Sequence, residues 1–79
     1  MRFKIYYRKN LKMSAGKIAA QAAHLACKAN MPWNMSCVVL SATDAKFDAM
    51  KPIAVATIKD AGHTEVASGT ETCLGFFED

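Results

Sequence analysis

The first forty residues contain no aspartate or glutamate, yet they hold seven basic residues: Arg2, Lys4, Arg8, Lys9, Lys12, Lys17 and Lys28. All seven acids come later, against three lysines, so the two parts carry +7 and −4. That asymmetry leaves two readings open, a phosphate-seeking face or an ordinary solvated surface on which folding intersperses acids among bases. Long apolar runs are also missing. The longest charge-free stretch, Ala29 to Thr43, is interrupted by Asn30, Pro32 and Asn34, and nothing approaches the ~20 apolar residues of a membrane span. Met1-Arg2-Phe3-Lys4 alternates apolar and charged residues without the apolar core or cleavage site of a secretion signal, so the cytoplasm is the expected location. Three cysteines (Cys27, Cys37, Cys73) with no CxxC pair argue against a disulfide framework or a zinc knuckle, and they read as small buried hydrophobes. No GxSxG elbow, HExxH or P-loop occurs, so those hydrolase and NTPase routes are closed.

What is present is a foldable chain of 79 residues, 52% hydrophobic and 22% charged, read as a single domain over residues 1–79. A domain of this size hides roughly 60% of its unfolded surface, so its core is thin and a homodimer is expected. Residues 2–9 alternate with period two, with Phe3, Ile5 and Tyr7 on the buried face of a first strand. Ser14 can cap a helix running to about Ala29, with Ile18, Ala22, Leu25, Ala26 and Ala29 as its apolar stripe. Seven alanines between Ala15 and Ala29 keep that helix thin enough to lie close to a sheet. Cys37-Val38-Val39-Leu40 reads as a strand buried on both faces. A brief helix follows, about Asp44 to Met50, then strands near Ile53–Ile58 and Thr70–Phe77. The order βαβαββ predicts an α/β fold of three layers, α/β/α, around a four-stranded mixed sheet that is mostly parallel.

Lys17 lies three positions after the expected cap, where a cation meets the positive end of the helix dipole at a cost of roughly 0.3–1 kcal/mol unless an anion compensates. Together with Ser14-Ala15-Gly16 it forms a candidate anion site; a lysine that simply extends into water is the plainer alternative. At about 100° per residue, Gln21, His24 and Lys28 fall within about 40° of Lys17, making one narrow polar stripe on an alanine-rich helix. Asp60 follows the third strand, at the kind of strand end where open α/β sheets bind ligands, and Thr64 and Thr72 add hydroxyls. If the first and third strands run in the same direction, Asp60 shares a rim with Lys17. Otherwise it is a turn residue capping its own backbone.

The segment Lys12-Met13-Ser14-Ala15-Gly16-Lys17-Ile18-Ala19-Ala20-Gln21-Ala22-Ala23-His24 resembles the first-helix signature of the type II peptidyl-tRNA hydrolases. The segment from Asp60 to Gly75 looks like that family's second signature. The resemblance implies an enzyme that cleaves the ester between a peptide and the terminal ribose of tRNA, with no metal or organic cofactor and with peptidyl-tRNA as partner. It places Lys17, Gln21, Asp60, Thr64 and Thr72 at active-site positions and His24 at a neighbouring position of the motif; His24 and His63 are read as supporting residues. Phosphates would meet Arg8, Lys9, Lys12, Lys17 and Lys28. Against the family, the segment after the first helix and the second helix are short, a terminal helix is absent, His63 stands for the usual Arg and Ser68 for the usual Pro. Such compactness suits a minimal version, as in a phage or a reduced genome. Two rival functions share the fold: a tRNA-end binding module without turnover, and a small interaction domain in which Lys17 and Asp60 are a structural ion pair.

Overall fold

The computed structural model of the protein describes residues 1–60 and 67–79. Its elements are β1 (Arg2–Arg8), α1 (Ala15–Lys28), β2 (Ser36–Ala42), α2 (Asp44–Met50), β3 (Ala56–Lys59) and β4 (Glu71–Glu78). The sheet order is β2-β1-β4-β3, with β1 parallel to β2 and antiparallel to β4, and β3 antiparallel to β4. β1, β2 and β3 thus share a direction. Of the three neighbouring pairs, however, just one is parallel, because β4 returns between β1 and β3 and makes the sheet mixed rather than mostly parallel.

Helix α1 starts where its cap predicts. The Ser14 hydroxyl accepts from the Lys17 backbone N–H at 3.2 Å. It stops at Asn30, whose left-handed φ of 54° lets Asn30 N–H reach the Cys27 carbonyl and Met31 N–H reach the Ala26 carbonyl. Thr43 caps α2 in the same way, through Lys46 N–H. The third strand begins later than expected because Pro52 sits in a tight turn over Lys51–Ile53, which delays extension to Ala56.

The two helices lie on opposite faces, α1 over β4 and β3, and α2 over β1 and β2, which completes the α/β/α layers. Leu25 of α1 packs with Phe3, Ile5, Ala56 and Cys73. Phe47 of α2 packs with Tyr6, Ala42 and Leu74. The burial expected of the first two strands is therefore exchanged. β1 is central and covered on both faces, so Tyr6 is buried as well as Phe3 and Ile5. Its cations survive there by pairing: Lys4 and Arg2 with Glu78, and Arg8 with Asp44 and Asp48 while its guanidinium lies 4.0 Å from the Phe47 ring centre. β2, expected to be buried on both faces, is an edge strand instead, with Cys37, Val39 and Leu40 exposed. The expectation of three buried cysteines fails at two of them, Cys37 because it lies on that edge and Cys27 because it lies on the outer face of α1; Cys73 is buried.

Gly75 of β4 is held glycine by close approach. A Cβ there would stand 2.6 Å from Phe3 Cζ and 3.0 Å from Leu25 Cδ2, both in fully buried side chains. Gly75→Ala is expected to lower the urea midpoint by an amount worth ~1–3 kcal/mol; an unchanged midpoint would show that the Phe3 ring yields freely.

The surface pairs set the pH dependence of stability. Hydrogen bonds from Asn10 and then Arg8 hold the Asp44 carboxyl below its usual range, and those from Arg2 and Lys4 do the same to Glu78. Carboxyl groups with lowered folded values add stability above about pH 4, and that stability is lost as the pH falls through the lowered values. Lys4 is raised by its hydrogen bond to Glu78, so its share is present below about pH 10 and lost above. Melting temperature should be level between those limits and fall on the acid side. Glu78→Gln should make the acid limb shallower, as differential scanning across pH would record.

Candidate functional site

The site grows from three local features. Ser14 begins α1 so that Lys17 and Gln21, one turn apart, project from the same side of the helix. Because β3 runs in the same direction as β1, its end delivers Asp60 to the rim at which α1 begins. The backbone then fixes Asp60: its N–H donates to the Thr70 carbonyl at 2.8 Å, and its carbonyl accepts from Gly69 N–H at 2.7 Å. Gly69 makes the second bond with a φ of +83°, a conformation that suits glycine.

The third feature is a bulge. Ile58 faces Cys73 and Lys59 faces Glu71, so Thr72 is an extra residue in β4. Consecutive strand residues normally point to opposite faces. Here both Thr72 and Cys73 turn to α1: Thr72 Oγ1 donates to Gln21 Oε1 at 3.0 Å, and Cys73 Sγ approaches the Gln21 carbonyl at 3.6 Å. The bulge re-aims one side chain into the site.

The result is a continuous polar chain. Lys17 Nζ pairs with Asp60 Oδ2, Gln21 Nε2 donates to the same oxygen at 2.9 Å, and Thr72 closes on the far side of the amide. Gln21, Asp60 and Thr72 are buried, at 6%, 5% and 0% exposure. The side chain of Lys17 is the outermost of the ion pair, 13% exposed against 2% for Asp60. The pairing supplies the anion that a lysine in a first helical turn calls for, which rules out a lysine merely extended into water. Burial pushes the Cys73 thiol up to about 11, so it is a neutral packing group under the site.

Other residues singled out in the sequence take different places. His24 is exposed on α1, and Lys28 Nζ donates to the Thr57 carbonyl at 2.9 Å, so the expected helical stripe divides into an inner half at Asp60 and an outer half along β3. Arg8 is engaged by Asp44, Asp48 and the Glu71 carbonyl. Lys9 and Lys12 are exposed on the connection between β1 and α1. His63 and Thr64 lie outside the described residues. Sequence reasoning had no signal for the bulge or for the Gly69–Asp60–Thr70 bonds, which depend on strand register. Among the described residues, no group of three or more His, Cys, Asp and Glu gathers in metal-binding geometry.

Fold and site together define a small α/β domain with a buried, charge-paired polar chain opening on the carboxyl edge of its co-directional strands. No family model matches the chain. It is, however, 32% identical to a peptidyl-tRNA hydrolase of Methanothermobacter thermautotrophicus, over 93 aligned positions that take in 95% of this chain and 83% of the relative. The chain belongs to the peptidyl-tRNA hydrolase family. Because the aligned span exceeds this chain's 79 residues, the relative carries internal segments that the chain does without.

Proposed function

We propose that the chain is a peptidyl-tRNA hydrolase of type II, cleaving the ester between an N-blocked aminoacyl or peptidyl group and tRNA in the cytoplasm, and working as a homodimer. The observation that carries this reading is the Lys17–Asp60–Gln21–Thr72 chain, with the lysine outermost. Water adds to the ester carbonyl carbon, the bond to the ribose oxygen breaks, and peptide acid and free tRNA hydroxyl result. Lys17 meets the oxyanion that develops on the carbonyl oxygen. Asp60 is a positioning residue, since its carboxylate is buried beneath Lys17 and fixes the ammonium. Gln21 and Thr72 keep that carboxylate oriented, and Thr64 supplies a further hydroxyl to the water or the ester. The space beside Gly16 is open, so the first turn of α1 can accept the substrate close to its backbone N–H groups.

Phosphates of the tRNA end meet Lys9 and Lys12, with His24 as exposed support on α1 and Arg8 and Lys28 contributing less because each is already bonded. The reading gives no step to a metal or an organic cofactor, so turnover should persist in a chelator. The test is incubation of the purified chain with N-acetyl-aminoacyl-tRNA, following loss of the ester. Binding without loss of the ester would leave the tRNA-end module in its place.

A further inference from the structure

The two edges of the sheet are built differently. β3 carries several of the devices that discourage strand pairing: it has four residues, a charged Lys59, a bulge against β4 at Ile58/Lys59, and a lysine from α1 bonded to the Thr57 carbonyl. β2 carries none of these. It is seven residues long, Ser36-Cys37-Val38-Val39-Leu40-Ser41-Ala42, with no charge, proline or glycine, in unbroken register with β1 from Ser36 to Ala42. Among the described residues, no side chain bonds to its backbone from outside the sheet. Its register puts Cys37, Val39 and Ser41 on the α1 side with Phe3, Ile5 and Tyr7, and Val38 and Leu40 on the α2 side. Neither side is closed over, for Val39 is 42% and Leu40 41% exposed.

From this contrast we infer that β2 is the dimer interface, pairing antiparallel with β2 of a second copy to make one eight-stranded sheet. A second copy fits because the strand complements itself. Antiparallel pairing about a two-fold axis normal to the sheet keeps each face on its own side. Val39 and Cys37 then meet the partner strand's Val, Cys and Ser positions, while Val38 and Leu40 meet its Val and Leu positions. Charge does not oppose the approach: the strand lies within the charge-free run Ala29–Thr43, although the chain as a whole carries +3. The arrangement removes the unprotected edge and covers apolar side chains on both faces at once. It also turns the two Lys17–Asp60 rims to opposite ends of the joined sheet, so each copy keeps its own site. The inference specifies the interface of the homodimer named in the functional reading, and its test needs no activity.

Sedimentation of the full chain from about 1 to 200 μM should give a dimer that dissociates on dilution. Val39→Lys and, on the opposite face, Leu40→Lys should each sediment as monomers while keeping native circular dichroism. Single cysteines placed at 37 to 41, with the other cysteines changed to serine, should cross-link between copies on oxidation, whereas a chain retaining Cys27 alone on the outer face of α1 should not. A wild-type monomer at the highest concentration would overturn the inference, as would a dimer that persists in both lysine variants. Cross-linking through Cys27 in place of the strand positions would also overturn it. Because the readout is mass and cross-linking, an inactive wild-type dimer would count against the hydrolase reading and leave the interface standing.

Discussion

In Asp60→Ala, hydrolysis of N-acetyl-aminoacyl-tRNA falls by ~10²–10⁴-fold while affinity for tRNA holds or rises. The substitution removes a negative charge from a basic rim, so attraction for phosphates cannot weaken on that account. What is lost is the anchor of Lys17. Asp60 Oδ2 receives both the lysine ammonium and the Gln21 amide, so its removal frees the ammonium to sample water and leaves a buried amide donor without its acceptor. Misplacing an oxyanion partner costs about 3–5 kcal/mol in the barrier, well outside assay error. The effect should appear in kcat, with KM little changed, because the carboxylate is buried and acts through the lysine. Near wild-type turnover in a folded Asp60→Ala protein would make Asp60 a turn residue and remove the proposed chemistry. Weakened tRNA binding in parallel with turnover would show that the carboxylate shapes the binding face and not the reacting centre.

Much of this site was legible from residue order. A serine cap, a lysine in the first turn, a glutamine one turn later and an aspartate after a strand place a cation, an amide and a carboxylate on one rim, provided β1 and β3 share a direction. They do, although by way of the antiparallel β4 between them and not through a parallel sheet. Pattern could not see Thr72 turning inward, because the bulge that turns it is a property of how β4 registers against β3. Hydrophobic pattern also misjudged β1 and β2. An alternating strand looks half-buried and a continuous apolar run looks fully buried, but position in the sheet overrides both. β1 at the centre buries Tyr6 and holds its cations in ion pairs, while β2 at the edge leaves Val39 and Leu40 open. Arg8 illustrates the same limit, since the acids that engage it come from α2, distant in sequence.

Lys17→Met separates a structural ion pair from a working one, and its largest effect is expected in stability at neutral and higher pH. Methionine fills a volume near that of lysine, so packing changes little, but the Asp60 carboxylate, with a side chain 2% exposed, loses the Lys17 ammonium. Breaking a buried pair from one side costs about 3–5 kcal/mol; the Gln21 amide that remains on the carboxylate at 2.9 Å sets the expectation at the lower end. That is a large share of the roughly 5–15 kcal/mol by which domains of ordinary stability stay folded. The loss must depend on pH in a defined direction. Without the Lys17 ammonium, the buried carboxyl is more easily accommodated as the neutral acid, so the folded state takes up a proton that the unfolded state releases above about pH 4. Stability then falls as pH rises, and urea midpoints for Lys17→Met should be clearly lower at pH 8 than at pH 5. Lys17→Met/Asp60→Asn removes the charge along with its partner and should recover most of the loss, with the pH dependence gone. Turnover should stay low in both proteins, since neither offers an ammonium to the oxyanion. If the double variant regained turnover along with stability, Lys17 and Asp60 would be a structural pair and the reacting centre would lie elsewhere. Equal midpoints at the two pH values in Lys17→Met would mean that Asp60 is held by its remaining donors and does not need the lysine to stay charged.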